Sequence, residues 1–178
     1  MKYIVIISLL VIVFSCSHKT KNSFDNGDKK NEKLITDTIQ QKELFAHLMK
    51  LTNNTVLPQE LQDSLAFLLL PVKASCPACR MKTIDSIDKH KNNLDDEHFV
   101  VIVGNGTKSI NGFFRKQDKE LPLTRKNIFV DTTNYSSTND LTSSNPDIYY
   151  ASQGKVYMKV SCMPNTIKGD LREFFKGL

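Results

Sequence analysis

"LAFLLLPVKASCPACRMKTIDSIDKHK", Leu65 to Lys91, is the stretch from which the fold is read. Its opening, Leu65 to Val72, is continuously apolar, the pattern of a strand covered on both faces of a sheet. Cys76 and Cys79 follow at a two-residue spacing. Pro77 stands at the first position of a helix, where a missing N–H costs nothing. Met81, Ile84 and Ile87 then mark the buried stripe of that helix.

A cysteine pair so spaced can attach haem, ligate a metal, form a structural disulfide or act as redox thiols. Haem attachment needs His directly after the second cysteine, and the residue there is Arg80. A zinc site needs about four ligands, of which the pair supplies two. Cys162 with His90 or His98 could complete it only at a spacing that predicts nothing, so no metal and no cofactor are expected. The structural and redox readings both remain.

The N-terminus bears on the compartment. Lys2, an apolar run from Tyr3 to Phe14 and the small Ser15 precede Cys16, which is the layout of a secretory signal. The apolar run is shorter than the ~20 residues a spanning helix requires. Val13, Phe14, Ser15 and Cys16 resemble a bacterial lipobox, with Phe14 departing from it, so residues 1–15 are expected to be removed and Cys16 lipidated. Residues 16–33 are polar and charged and read as a flexible spacer. The chain carries a net charge of +5, part of it in Lys2 and the spacer. The remaining near-neutral domain gives no support to a nucleic-acid partner.

Residues 34–178 suit one domain. "LITDTIQQKELFAHLMKL" reads as an amphipathic helix with Ile35, Ile39, Phe45, Leu48 and Met49 on its apolar face, and His47 in it has no second ligand at helical spacing. "HFVVIVGNG" is a second buried strand, "SINGFFRKQDKEL" a short helix and "NIFVDTT" a third strand. "DIYYASQGKVYMKVSC" is two strands about a turn at Ser152 to Gly154, with Val156, Met158, Val160 and Cys162 expected on one face. "MPNTIKGDLREFFKGL" closes the chain as an amphipathic helix. The fold class is α/β with a mixed sheet flanked by helices and an extra N-terminal helix.

Strand, Cys76-Pro77-Ala78-Cys79 and helix, then Pro146 ahead of the hairpin "DIYYASQGKV" and the last helix "IKGDLREFFKGL", resemble the thioredoxin superfamily from about Ser64 to Leu178. The segment between Cys79 and Pro146 carries an extra helix and strand, which resembles the membrane-tethered TlpA and ResA branch. The resemblance implies a thioredoxin-like sheet, a cis Asn145–Pro146 bond facing the cysteine pair, and a substrate-binding edge at Asn145 and Pro146. This sequence departs from the family at Leu70, where thioredoxins often bury an acid, at Val72 to Ser75, which replace the usual aromatics, and at Asn145.

A sulfur at a helix N-terminus faces unpaired N–H groups and the positive end of the dipole, which stabilise its thiolate. Cys76 is the expected nucleophile and Cys79 the thiol that resolves the mixed disulfide. Cys162 reads as a small buried hydrophobe. It lies eight residues after Gly154, where the family places a small residue near the active-site surface, and could there serve as a third thiol. Two functions are carried forward. One is a lipid-anchored thiol-disulfide oxidoreductase of the bacterial envelope, facing the periplasm, with cysteine-containing envelope proteins and an upstream redox partner. The other is a non-catalytic binding or assembly lipoprotein.

Overall fold

The computed structural model describes residues 31–55, 64–122 and 125–176; the signal segment, Cys16 and most of the spacer lie outside the described residues. Its centre is strand β2 (Ser64–Pro71), flanked on one side by β3 (His98–Val103) and on the other by β5 (Asp147–Ser152). Alternate residues of β2 feed two separate cores. Ala66, Leu68 and Leu70 enter one, and Leu65, Phe67 and Leu69 the other. Successive strand residues point to opposite faces, so an apolar residue at every position demands cover on both.

One cover consists of helices α2 (Pro77–His90), α3 (Thr107–Lys116) and α5 (Ile167–Phe174), which supply Ile84 and Ile87, Phe113 and Phe114, and Leu171 and Phe174. The other is mainly α1 (Thr38–Leu51), through Phe45, Leu48 and Leu51. Asp37 caps α1 by accepting from the Gln40 N–H at 2.7 Å. The sheet runs β1-β6-β5-β2-β3-β4, where β1 is Glu32–Leu34, β4 is Ile128–Asp131 and β6 is Lys155–Ser161. β2, β3 and β4 are parallel, and β5, β6 and β1 add successively antiparallel. This is the expected mixed α/β sheet. Gly104, just past β3, lets α3 press close: a Cβ there would stand 2.6 Å from Ile110 Cγ1.

Several local expectations differ from the structure. Glu32–Leu34 forms edge strand β1 across the boundary between what reads as spacer and the domain, and Tyr135–Thr138 forms a one-turn helix, α4. Ile39 is 70% exposed on α1, while Ile35 is buried ahead of that helix. Val156 does not share a face with Val160 and Cys162. A bulge sets Tyr150 opposite Met158 and Ala151 opposite Val156, leaving Tyr157 as the extra residue. Val156 therefore packs with α1, and Val160 and Cys162 with the opposite core. Among the described residues no helix is long and apolar enough to cross a membrane.

The end of β4 is fixed by one carboxylate. Asp131, buried, accepts from the Thr133 N–H and hydroxyl and the Tyr135 N–H at Oδ1, and from the Ser136 N–H (2.7 Å) and hydroxyl (2.6 Å) at Oδ2. Burial alone raises its pKa. The hydrogen bonds from Ser136, Thr133 and Tyr135 outweigh that and hold it below the ordinary carboxylate value. A depressed folded-state pKa contributes stability that is complete above the unfolded value near 4 and lost as pH falls through the folded one. Asp131→Asn should cost about 1–3 kcal/mol at neutral pH. In urea titrations its deficit should be constant above about pH 5 and shrink below about pH 4; a deficit that stays constant to low pH would contradict this origin.

Candidate redox site

β2 delivers the chain to the cysteine pair at its C-terminal end. The Val72 N–H still donates to Val103 O, the Ala74 N–H turns back to Pro71 O at 3.1 Å, and α2 begins three residues later. Cys76 is the N-cap of α2, in extended conformation, with Pro77 in the first turn. Its Sγ accepts from the Cys79 N–H at 3.1 Å, and its carbonyl from the Arg80 N–H. Sulfur here occupies the place of a capping oxygen, satisfying one of the orphan donors of the first turn.

Cys76 and Cys79 are joined by a disulfide with Cα atoms 5.3 Å apart, inside the usual range. Their exposures differ: Cys76 is half-buried, whereas Cys79 is completely buried beneath the helix. A partner's sulfur can reach the first and not the second. The same N–H that caps the sulfur in the disulfide would donate to a Cys76 thiolate after reduction.

The second wall comes from a distant part of the chain. The Ser75 N–H donates to Ser144 O at 2.7 Å, and the Ser75 hydroxyl to the same oxygen, across 69 residues. This places the segment before β5 beside the pair. Asn145 is half-buried, with its side-chain amide 3.5 Å from Met163 Sδ, and Pro146 is buried, with its carbonyl accepting from the Cys162 N–H. The Asn145–Pro146 bond is trans, contrary to the cis bond implied by the resemblance, since no cis peptide occurs among the described residues. The loop's position is set instead by the neighbouring Asp147. That buried carboxylate accepts from the Ser143 N–H (2.6 Å), the Ser143 hydroxyl and the Ser161 hydroxyl (2.6 Å), and pairs with Lys159 at 3.4 Å.

Cys162 shares the apolar cluster that holds Cys79 and, like Cys79, is fully buried. Burial first, then the negative charges of Asp170 and Asp147, push its thiol above the ordinary cysteine range. A protonated, covered thiol is a poor nucleophile, so the structure places Cys162 in the core. His98, which could have joined it on a metal, pairs with Asp95 at 2.6 Å, and His90 stacks on Phe175. No cluster of three or more metal-ligating side chains occurs among the described residues.

Sequence reasoning missed Ser144 and Asp147, which carry no motif. It noticed Arg80 only as a residue that is not His. Arg80 Nη1 donates to Val72 O (3.1 Å) and Ala74 O (3.2 Å) and so pins the segment ahead of Cys76 to α2. Its guanidinium also lies over the Phe113 ring of α3. The position expected to carry a buried acid, Leu70, is core.

No protein-family model and no curated protein matches the sequence. Among solved structures, a putative thiol:disulfide interchange protein DsbE from Chlorobium tepidum is 15% identical, covering 65% of this chain and 79% of its own, with a TM-score of 0.39. A DsbF homologue from Corynebacterium diphtheriae is 15% identical, covering 87% and 98%, with a TM-score of 0.40. A thiol-disulfide isomerase from Corynebacterium glutamicum is 12% identical, covering 82% and 97%, at 0.39. Likeness at this level leaves the assignment to topology. A parallel β2–α2–β3 unit with the cysteine pair at its first crossover, completed by an antiparallel β5–β6 hairpin and closing helix, gives this chain a thioredoxin-like fold.

Proposed function

We propose that this chain is a thiol-disulfide oxidoreductase of the bacterial cell envelope, held to a membrane by lipid on Cys16 and related to the TlpA and ResA branch. The observation that carries the reading is the asymmetry of the pair. Cys76 is half-exposed and capped by the Cys79 N–H, and Cys79 is buried one helical turn behind it.

In the oxidising direction, a thiolate of the partner attacks Cys76 Sγ. The Cys76–Cys79 bond breaks, Cys79 leaves as a thiolate and takes up a proton, and a mixed disulfide joins partner and Cys76. The partner's second thiolate then attacks its own sulfur in that mixed disulfide and expels Cys76 as a thiolate. Two electrons pass from the partner dithiol to the pair. The reducing direction is the same sequence reversed, and an upstream redox partner restores the starting state. An extended partner segment would bind at Asn145 and Pro146; the reading is supported by the bond from the Ser75 N–H to the carbonyl of the preceding Ser144.

Cys76→Ser should abolish exchange, and Cys79→Ser should accumulate a mixed disulfide through Cys76. In the reduced protein iodoacetamide should alkylate Cys76 faster than Cys79 near neutral pH; the opposite order would refute the assignment of roles. Equilibration with glutathione should give a reduction potential above about −300 mV, whereas a lower value marks a structural disulfide and favours a binding module. Cys16→Ser should release the protein from membranes and abolish lipid labelling. Retention of that variant in the membrane fraction would point to an uncleaved anchor helix.

A further inference from the structure

Residues on either side of the cysteine pair in the sequence share a cleft with one side of α3. Val72 and Lys73 lead into Cys76, Arg80 follows Cys79, and Lys108, Phe113 and Lys116 project from α3 around a volume of about 390 Å³. Four of the residues lining this cleft are cations and none is acidic. Lys73, Lys108 and Lys116 are exposed, and none takes part in an ion pair among the described residues. Arg80 donates to two main-chain carbonyls, which leave its charge unneutralised.

We propose that this cleft docks an acidic segment of the partner protein, next in sequence to the partner's reacting cysteine; the proposal rests on the oxidoreductase function above. Arg80 lies four residues along α2 from Cys76, about 6 Å of helix rise, and Lys108 and Lys116 are two turns apart on α3, about 12 Å. An extended segment of about four residues spans that distance. Its carboxylates would meet the lysines while its cysteine stands at Cys76. The side chains of a short peptide fit a concave space of this size. Like-signed charge in a cleft raises the local concentration of an oppositely charged partner, by about 10- to 1000-fold in on-rate, and the effect falls with ionic strength. Because the pair itself is reached by any exposed sulfur, the cleft selects among partners without taking part in the exchange.

The test compares two otherwise identical disulfide-bonded peptides whose cysteine is flanked by Asp and Glu or by Lys. At about 20 mM salt, kcat/KM should favour the acidic peptide at least about tenfold, and the preference should shrink at about 0.5 M, where the Debye length is only a few ångströms. The variant Lys73→Glu/Lys108→Glu/Lys116→Glu should reverse the preference, with unchanged reactivity toward neutral 2-hydroxyethyl disulfide. Equal rates for the two peptides, or a preference untouched by the triple variant, would overturn the proposal. A cysteine-free acidic peptide, followed by fluorescence anisotropy on the oxidised protein, should bind at least about tenfold more tightly than its basic counterpart. Absence of that binding also overturns docking. Failure to react with 2-hydroxyethyl disulfide, with acidic-peptide binding intact, overturns the oxidoreductase function and leaves docking standing.

Discussion

Apolar residues at every position of β2 force the architecture. Six consecutive residues, Leu65 to Leu70, are almost completely removed from water, each large one stabilising by about 1.5–3 kcal/mol. A strand of that kind must lie inside the sheet with helices on both faces. α1 closes one side, and α2, α3 and α5 the other. Because β2 pairs in parallel with β3, the connection between them has to cross over a face, and α2 is that crossover. The cysteines stand where strand gives way to helix, so the same apolar run that fixes the core fixes the end of the molecule at which they emerge.

The opposite wall of the site depends on polar groups within that framework. Asp147 begins β5, fully buried, and a charge in such a place is tolerated only when hydrogen-bonded and paired. Ser143 and Ser161 donate to it and Lys159 faces it. Those contacts hold the loop that offers Ser144 O to Ser75. A main-chain bond between residues so far apart in sequence brings the proline loop to the pair with a trans Pro146. The constraint on this loop is therefore the buried carboxylate, and the expected cis bond has no part in it.

Long periodic segments were legible in the sequence, and short polar ones were not. β2, β3, the β5–β6 hairpin and α2 announce themselves through apolar runs, turn residues and a stripe at helical spacing. β1 has three residues, all exposed, and belongs to the sheet only because β6 offers it an edge. α4 is a single turn, organised by Asp131 bonds that no periodicity encodes. The bulge at Tyr157 is a failure of a different kind. Strict alternation puts Val156 and Val160 together, whereas one extra residue in β6 sends them to opposite cores. At the site, the cysteine pair and the proline loop were visible as motifs. Ser144, Asp147 and the lining of the cationic cleft were not, because each acts through a neighbour remote in sequence.

The contrast between Cys76 and Cys162 shows how one small domain gives two sulfurs opposite surroundings. Both adjoin the same apolar cluster, so hydrophobic surroundings alone do not distinguish them. Cys76 meets an N–H at a helix start, with Arg80 and three lysines in the adjoining cleft and its surface partly open. Cys162 meets buried Asp170 and Asp147 and no solvent. Positive potential favours a thiolate and negative potential opposes it. At Cys76 the N–H of the helix start meets the sulfur itself, while the cations of the cleft would act on the charge of a chain that approaches it. Asp147 anchors the loop beside Cys76 and also adds its charge to the burial and the Asp170 charge that keep Cys162 protonated, so one carboxylate bears on both sulfurs.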